Sequence, residues 1–200
     1  MTFLEAAACT NEGYAMESCH LSTRHRYTDY VARQMALYWW NCSVAEAELF
    51  SIASHSFHGC LPDVSAMSFV NLVLESLDEA SARHISRPLV LAAQTTIDLK
   101  LYEQTGCLCV YPSQQDQQHI QTMIREIAEG AVTNDQRLKL AGIIESFQKQ
   151  SLVDGVIIAC TELPLIHRKF PLSEFVELPI IDTVEVLARR LLVLSQSTGY

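Results

Sequence analysis

A thiol, a hydroxyl and a carboxylate occupy three consecutive positions, Cys160, Thr161 and Glu162. They follow the apolar, β-branched run 156–159, which predicts a strand buried on both faces, and Pro164 stands where a helix could begin. Ligands of open α/β sheets bind at the carboxyl ends of the strands, and the pKa of a thiol falls near the N-terminus of a helix. We therefore expect Cys160 to exchange a proton near neutral pH, with a buried core thiol as the alternative.

A second polar cluster, containing Ser54, His55, Ser56 and His58, follows a predicted strand in the first half of the chain. The sequence Ile-Ala-Ser-His that opens it is similar to Ile-Ala-Cys-Thr around Cys160. Two strands with similar ends in the two halves of the chain favour a pseudo-duplicated fold with one catalytic group from each half. A serine hydroxyl is a poor base alone, but a neighbouring histidine can take its proton. Loop histidines without a ligand role are the alternative, and zinc is not expected because His-x-x-His supplies too few ligands.

Alternating strand and helix patterns predict an α/β fold with a mainly parallel sheet. The predicted strands are residues 3–9, 49–53, 69–74, 88–93, 107–111 and 156–159. The predicted helices are residues 23–40, 75–84, 98–104, 115–129, 138–150, one that begins near residue 164 and a last one capped by Asp182 or Thr183. We expect Ser54 and Cys160 to lie at the carboxyl ends of strands and to face one cleft.

Composition restricts the possible partners and the location. The 200 residues are 49% hydrophobic, which is enough for one domain or two small lobes, and the net charge of −9 argues against nucleic acid or an anionic membrane as a partner. The apolar runs are too short to span a bilayer, and the first residues do not resemble a secretory signal. Seven cysteines without a Cys-x-x-Cys pair, with Cys107 and Cys109 on one face of a predicted strand, are typical of reduced thiols. We therefore expect a cytoplasmic protein.

Two motifs in the C-terminal half carry a resemblance to a known family. Gly155-Val-Ile-Ile-Ala-Cys-Thr-Glu-Leu-Pro164 resembles the second-cysteine motif of the aspartate/glutamate racemases. Leu178-Pro-Ile-Ile-Asp-Thr183 is similar to the Pro-x-x-Asp-Thr segment that opens their last helix, and the likeness is continuous from Pro88 onward. These enzymes invert an α-carbon by two-base proton transfer without pyridoxal phosphate. The resemblance therefore implies an isomerase that needs neither a cofactor nor a metal.

The resemblance also assigns positions to the candidate site residues. In the family's first-cysteine motif, Cys-Asn-Thr-x-His, Ser54 takes the place of the cysteine. His55, Ser56 and His58 take the places of the asparagine, the threonine and the histidine. The resemblance implies that Cys160 and Ser54 are the catalytic pair. It implies substrate-binding roles for Thr161, Glu162, His55, Ser56, His58, Thr95 and Thr96.

The chain departs from the family pattern at one turn near the site. In the family, a strand is followed by a Gly-Thr-x-x-Thr turn and by a helix that carries a tyrosine. Thr96 and Tyr102 match this pattern, but Ala92 and Ala93 replace the glycine and the first threonine. The extra methyl groups could crowd a bound carboxylate.

The N-terminal half is shorter than the family plan. Only residues 44–48 separate the first predicted helix from the strand at residue 49, whereas one strand–crossover–strand unit needs about 30 residues. We therefore expect two pseudo-symmetric lobes with mainly parallel sheets, residues 1–87 and residues 88–200, of which the first lacks one βα unit. The C-terminal helix could complete that first lobe.

Three functions remain open from the sequence. The favoured one is a cofactor-independent racemase or epimerase of a small acidic amino acid, assembled as a homodimer as the resemblance implies. A catalytically impaired relative that binds a small carboxylate for regulation is the second. A one-cysteine lyase or decarboxylase of related fold is the third.

Overall fold

The structure, a computed structural model, describes residues 49–58, 68–103 and 107–197. Its strands are β1 Leu49–Ser51, β2 Ser68–Val70, β3 Pro88–Ala92, β4 Gly155–Ala159 and β5 Ile180–Asp182. Its helices are α1 His55–His58, α2 Leu72–Ala82, α3 Gln94–Asp98, α4 Gln114–Ala128, α5 Asn134–Lys149, α6 Leu163–Lys169 and α7 Thr183–Ser197. The strand predicted at residues 3–9 and the helix predicted from residue 23 lie outside the described residues.

The described strands form two parallel sheets, which confirms the predicted α/β class. β1 pairs with β2 in a two-stranded sheet. β4 lies between β3 and β5 in a three-stranded sheet, with Ala92 opposite Ala159. Because neighbouring parallel strands run in one direction, the residues that follow β3 and β4 meet at the same end of the sheet, here called the carboxyl edge.

Different helices cover the two faces of the three-stranded sheet. Apolar side chains of α4, α5 and α6 cover one face, and those of α2 and α7 cover the other. All five residues of β3 and all five of β4 are buried. Burial on both faces explains why these two strands are continuous apolar runs without polar alternation. Strand residues on the first face are Leu89, Leu91, Val156 and Ile158, and those on the second are Val90, Ala92, Ile157 and Ala159.

The C-terminal helix α7 also packs against the small sheet. Its Leu187 is buried together with Val70 of β2 and Leu72 of α2. Leu191 and Leu194, one and two turns further along α7, pack against the same cluster. Helix α7 thus packs against both β2 and α2, while the predicted division of the chain at residues 87 and 88 and the completion of the first lobe by this helix stay predictions.

The strand predicted at residues 69–74 is wrong in its second half, because α2 begins at Leu72. Asn71 is the N-cap: its side-chain oxygen accepts hydrogen bonds from the backbone N–H groups of Val73, at 3.0 Å, and Leu74, at 3.2 Å. An asparagine cap satisfies amides at the start of the helix that would otherwise have no partner. The apolar run therefore continues as the first turn of a helix.

Two predictions between β3 and α4 are also wrong. Helix α3 occupies Gln94–Asp98, before the predicted helix at 98–104, and Lys100 follows it with a left-handed φ of 53°. The segment predicted as a strand at 107–111 makes a single parallel bridge, from Val110 to Leu89.

Helix α5 begins at Asn134, four residues before the start predicted at residue 138, because Thr133 and Gln136 form a capping box. The three-residue strand β5 was not predicted. The other predicted helices that fall within the described residues agree with the structure to within a few residues.

Candidate active site

At the carboxyl edge of the three-stranded sheet, Cys160 lies next to the turn that the polar cluster of Ser54, His55, Ser56 and His58 contacts. Cys160 follows β4, and Ala93 follows the neighbouring strand β3. Thr96, buried in α3 just beyond Ala93, lies with its Oγ1 3.2 Å from the Oγ of Ser56 on α1. Helix α1 thus contacts the turn after β3, which is next to the strand that carries Cys160. Thr95 lies half-buried in the same turn of α3.

Cys160 is buried, with 5% of its surface exposed, in the core beneath α4, α5 and α6. Its thiol donates a hydrogen bond of 2.8 Å to Oε2 of Glu162, and the Glu162 backbone N–H donates to the sulfur at 3.3 Å. Burial, and next the Glu162 carboxylate, raise the pKa of the Cys160 thiol well above its ordinary value. The expected lowering by a helix N-terminus is therefore wrong: backbone N–H groups of Glu162 and Leu163 oppose this rise without reversing it. Near neutral pH, the Cys160 thiol therefore keeps its proton, which it donates in the hydrogen bond to Glu162.

His55 is a buried, neutral imidazole. It is 3% exposed, and its ring stacks on Tyr102 with 6.1 Å between the centroids and 26° between the planes. Burial, with a smaller contribution from His58, lowers the pKa of His55 to about 3. Neither ring nitrogen has a hydrogen-bond partner within the described residues. A neutral imidazole has one N–H donor and one acceptor, and neither of those of His55 is used by a residue in the described ranges.

His58 holds the start of α2. Its Nε2 accepts a 2.9 Å hydrogen bond from the backbone N–H of Leu72. This nitrogen is therefore unprotonated, and the proton of the neutral ring lies on Nδ1. Burial lowers the pKa of His58 to about 4, and its ring packs edge-on against Phe69 with 5.4 Å between the centroids. The bond to Leu72 is structural, and the predicted role of His58 in substrate binding stays a prediction.

The Asp182-Thr183 pair of the second motif joins elements around the site. The sequence predicts Asp182 or Thr183 as the cap of the last helix, and the structure shows that Asp182 caps α7. Its Oδ1 accepts hydrogen bonds from the backbone N–H groups of Val184 and Glu185. Its Oδ2 accepts from Nε and Nη2 of Arg168 on α6, at 3.1 and 2.6 Å. The Thr183 hydroxyl donates to the carbonyl of Ile158 at 2.9 Å. The motif thus fixes α6 and α7 against β4, the strand that carries Cys160.

Two glutamines of α4, which sequence reasoning missed, hold the turn after β3. The Gln117 amide donates from Nε2 to the carbonyl of Ala92 at 2.9 Å, and Oε1 of Gln121 accepts from the backbone N–H of Gln94 at 3.0 Å. Oε1 of Gln117 is buried without a partner in the part of the chain that is described. A signal existed in the sequence, because Gln117 occupies the stripe of α4 that is otherwise apolar.

Ser54, Thr161 and Glu162 are half-buried. Ser54 lies between β1 and α1, and the other two lie between β4 and α6. Whether the Ser54 hydroxyl and the Cys160 thiol face one cleft stays a prediction.

A resident metal has no evident ligand set among residues 49–58, 68–103 and 107–197, because no three side chains of His, Cys, Asp or Glu cluster there. In the same ranges, no helix is both long and apolar enough to cross a membrane.

The sequence profile of the Asp/Glu/Hydantoin racemase family matches residues 43–191. No curated protein sequence matches the chain. Among solved structures, a candidate Asp/Glu racemase from Yersinia pestis superposes with a TM-score of 0.69 at 17% identity, over 82% of this chain and 73% of that protein. An aspartate racemase homologue from Pyrococcus horikoshii superposes with a TM-score of 0.62 at 23% identity, over 78% of this chain and 70% of that protein. Glutamate racemase from Francisella tularensis in complex with D-glutamate superposes with a TM-score of 0.64 at 15% identity, over 84% of this chain and 64% of that protein. At these identities, the likeness to solved structures shows the fold.

Proposed function

Because this chain belongs to the Asp/Glu/Hydantoin racemase family, we propose that it inverts the α-carbon of an acidic amino acid without a cofactor. The observation that carries the proposal is the Cys160–Glu162 pair, a buried thiol that donates its hydrogen bond to a carboxylate at the carboxyl end of β4. Racemisation needs one group that removes the α-proton and one that returns a proton on the opposite face. A thiol with a carboxylate partner can serve in both directions.

As an acid, Cys160 gives its proton to the carbanion and becomes a thiolate. As a base, it must first lose that proton, and Glu162 lies at hydrogen-bond distance to receive it. Because burial and the Glu162 carboxylate hold the pKa of the Cys160 thiol well above its ordinary value, this transfer is uphill. Burial of Cys160 makes the thiolate less stable and the thiolate, once formed, a stronger base.

On the opposite face, we assign proton exchange to Ser54 assisted by His55. The serine hydroxyl needs a partner that takes its proton, and His55 next to it is neutral and has an unpartnered acceptor nitrogen among the described residues. A histidine with a pKa of about 3 accepts a proton reluctantly and returns it readily. We therefore expect proton removal on the Ser54 side to be the slower half of the reaction, so that one enantiomer reacts with the lower kcat.

Substrate carboxylates would be bound by hydroxyl groups near the carboxyl edge. Ser56 and Thr96 are already in contact there, Thr95 is next to Thr96 in α3, and Thr161 follows the adjacent strand β4. The unpartnered Oε1 of Gln117 is an acceptor suited to the substrate ammonium group. A zwitterionic amino acid therefore matches both kinds of group.

Exchange of the α-proton in deuterium oxide tests the proposal. Each enantiomer of aspartate and glutamate is incubated with the protein, and deuterium at the α-carbon is measured by mass spectrometry. The parent should incorporate label and produce the other enantiomer, and Cys160→Ser should do neither. Cys107→Ser, which removes a free thiol remote in sequence from this site, is the matched control and should keep full activity.

A small-acid binding protein is the second candidate, favoured by the raised pKa of the Cys160 thiol. In that case calorimetry would detect binding of an acidic amino acid while the α-carbon acquired no deuterium. Carbon dioxide release with label at the same carbon would point instead to a decarboxylase.

A further inference from the structure

Cys107 and Cys109 form a pair of free thiols outside the candidate active site. Both are half-buried, whereas Leu108 between them is 71% exposed. This alternation is that of an extended chain, in which residues two apart point to the same side. The Cys107 thiol is, after burial, the next cause of the raised pKa of the Cys109 thiol, as expected of two side chains on the same side of the chain.

The backbone beside the pair is fixed to the sheet. Val110 accepts a hydrogen bond from the Val90 N–H at 2.8 Å and donates its own N–H to the Pro88 carbonyl at 2.9 Å. In an extended chain, residues two apart have Cα atoms about 6.4 to 6.8 Å apart. Disulfides tolerate Cα separations up to about 6.8 Å, but their Cβ atoms lie about 3.5 to 4.5 Å apart, so closing a bond here requires the backbone at Leu108 to leave the extended conformation.

We propose that Cys107 and Cys109 are a dithiol modification site, which peroxide-class oxidants convert reversibly into an intramolecular disulfide. The Cys107 sulfur attacks the peroxide O–O bond, giving a sulfenic acid and one water from hydrogen peroxide. The Cys109 sulfur then attacks that sulfenic sulfur, which forms the S–S bond and releases a second water. Two thiols are oxidised and one peroxide is reduced, and a dithiol reductant reverses the change.

The order of the two steps follows from burial. Burial, and next the neighbouring Cys107, raise the pKa of the Cys109 thiol, which makes it the poorer first nucleophile. It is, however, in place to attack a sulfenic acid on its neighbour. A disulfide between residues two apart lies at the limit of allowed geometry, so it should be readily reduced, as labile regulatory disulfides are.

The pair is connected to the candidate active site by packing. Cys109 packs against the cluster that contains Tyr102, and the Tyr102 ring stacks on His55. Formation of the disulfide would displace the Cys109 side chain from this contact. The modification itself does not require the racemase function, and its test does not depend on activity.

Trypsin places both cysteines on one peptide, Leu101–Arg125, which contains no other cysteine. The native, full-length protein is treated with a small molar excess of hydrogen peroxide, alkylated with iodoacetamide in denaturant, digested and weighed. We expect the peptide to lose the mass of two hydrogen atoms, to carry no alkyl group, and to return to the doubly alkylated form after dithiothreitol. Cys160, alone on peptide Gln150–Arg168, is the internal control and should remain fully alkylated.

Single variants separate a disulfide from other oxidation. Cys109→Ser should leave Cys107 unable to form the bond, so that oxygen adducts accumulate on the same peptide, and Cys107→Ser should form neither product quickly. The proposal is overturned if the parent peptide stays doubly alkylated after peroxide. It is also overturned if Cys107 or Cys109 is found bridged to another cysteine of the chain.

Discussion

Replacing Glu162 by glutamine tests why the Cys160 thiol keeps its proton. The Glu162 carboxylate accepts the thiol hydrogen bond at 2.8 Å and is the second largest cause, after burial, of the raised pKa. Glutamine has nearly the same shape and can still accept this bond, but it carries no charge. The pKa of Cys160 should therefore fall, because the thiolate no longer faces a like charge.

The size of the effect follows from Coulomb's law. Two unit charges about 4 Å apart repel by about 1 kcal/mol in water and about 4 kcal/mol at an effective dielectric constant of about 20. Glu162 is half-buried, so its repulsion of a thiolate lies between these limits. At a fixed pH below the thiol pKa, the thiolate fraction should rise by roughly five-fold to roughly a thousand-fold, since about 1.4 kcal/mol is a factor of ten.

The rate of alkylation by iodoacetamide reports this fraction, because the thiolate is the reacting form. It is followed on peptide Gln150–Arg168, and Glu145→Gln, which removes a surface carboxylate paired with Lys149, controls for the change in net charge. Exchange of the α-proton should fall in the same Glu162→Gln variant, because an amide cannot receive the thiol proton. If alkylation is unchanged or slower than in the control, the carboxylate does not hold the proton on Cys160, and the role proposed for Glu162 is wrong.

Three further substitutions test other parts of the site and the fold. His55 takes up a proton in the unfolded chain as the pH falls below about 6.5 but stays neutral in the fold down to about 3, so its burial should remove roughly 2 kcal/mol of stability by about pH 5. Urea denaturation of His55→Asn should lack this loss, and an unchanged pH dependence would contradict it. Gly155→Ala would place a Cβ 2.7 Å from side-chain carbons of Ile85 and should lower the unfolding free energy by about 1 to 3 kcal/mol, unless Ile85 can move aside. Ser54→Cys should raise racemisation only partly, since the sequence predicts that Ala92, Ala93 and a shortened N-terminal half also affect the pocket, and a parent at full rate with no gain in the variant would show that serine with histidine suffices.

Short-range signals explain which elements were predictable. Strand β4 and the start of α6 follow from a buried apolar run that ends in polar residues before Pro164, and the Asp182 cap follows from side-chain chemistry within one turn. Strand β5 has only three residues, and it is stabilised by pairing with β4 and hardly by its own sequence. Helix α3 has no side-chain N-cap and depends on Gln121 of a distant helix, so nothing local marks its start.

The sign of the Cys160 pKa shift was not predictable for a related reason. The position of the thiol before a helix can be read from the sequence, and this local effect lowers its pKa. Burial beneath α4, α5 and α6 and the orientation of the Glu162 carboxylate raise the pKa by more. Desolvation can move the pKa of a buried group by several units, whereas a helix terminus is worth about 0.3 to 1 kcal/mol at exposed positions and up to about 2 kcal/mol where it is partly buried. The net direction of the Cys160 pKa shift can therefore be judged only when the packing around the sulfur is known.

Unsatisfied polar atoms indicate what kind of ligand the site is organised to bind. In the part of the chain that is described, both ring nitrogens of His55 and Oε1 of Gln117 are buried without a hydrogen-bond partner. Each buried atom without a hydrogen-bond partner lowers the free energy of unfolding by about 1 to 3 kcal/mol relative to one that has a partner. A carboxylate can accept from the imidazole N–H, and an ammonium group can donate to the glutamine oxygen. A ligand that carries both groups would remove much of that cost on binding and should stabilise the folded chain in proportion to its occupancy. A dicarboxylate without the ammonium group would satisfy only the imidazole, so it should protect the fold against heat less than aspartate or glutamate at equal concentration.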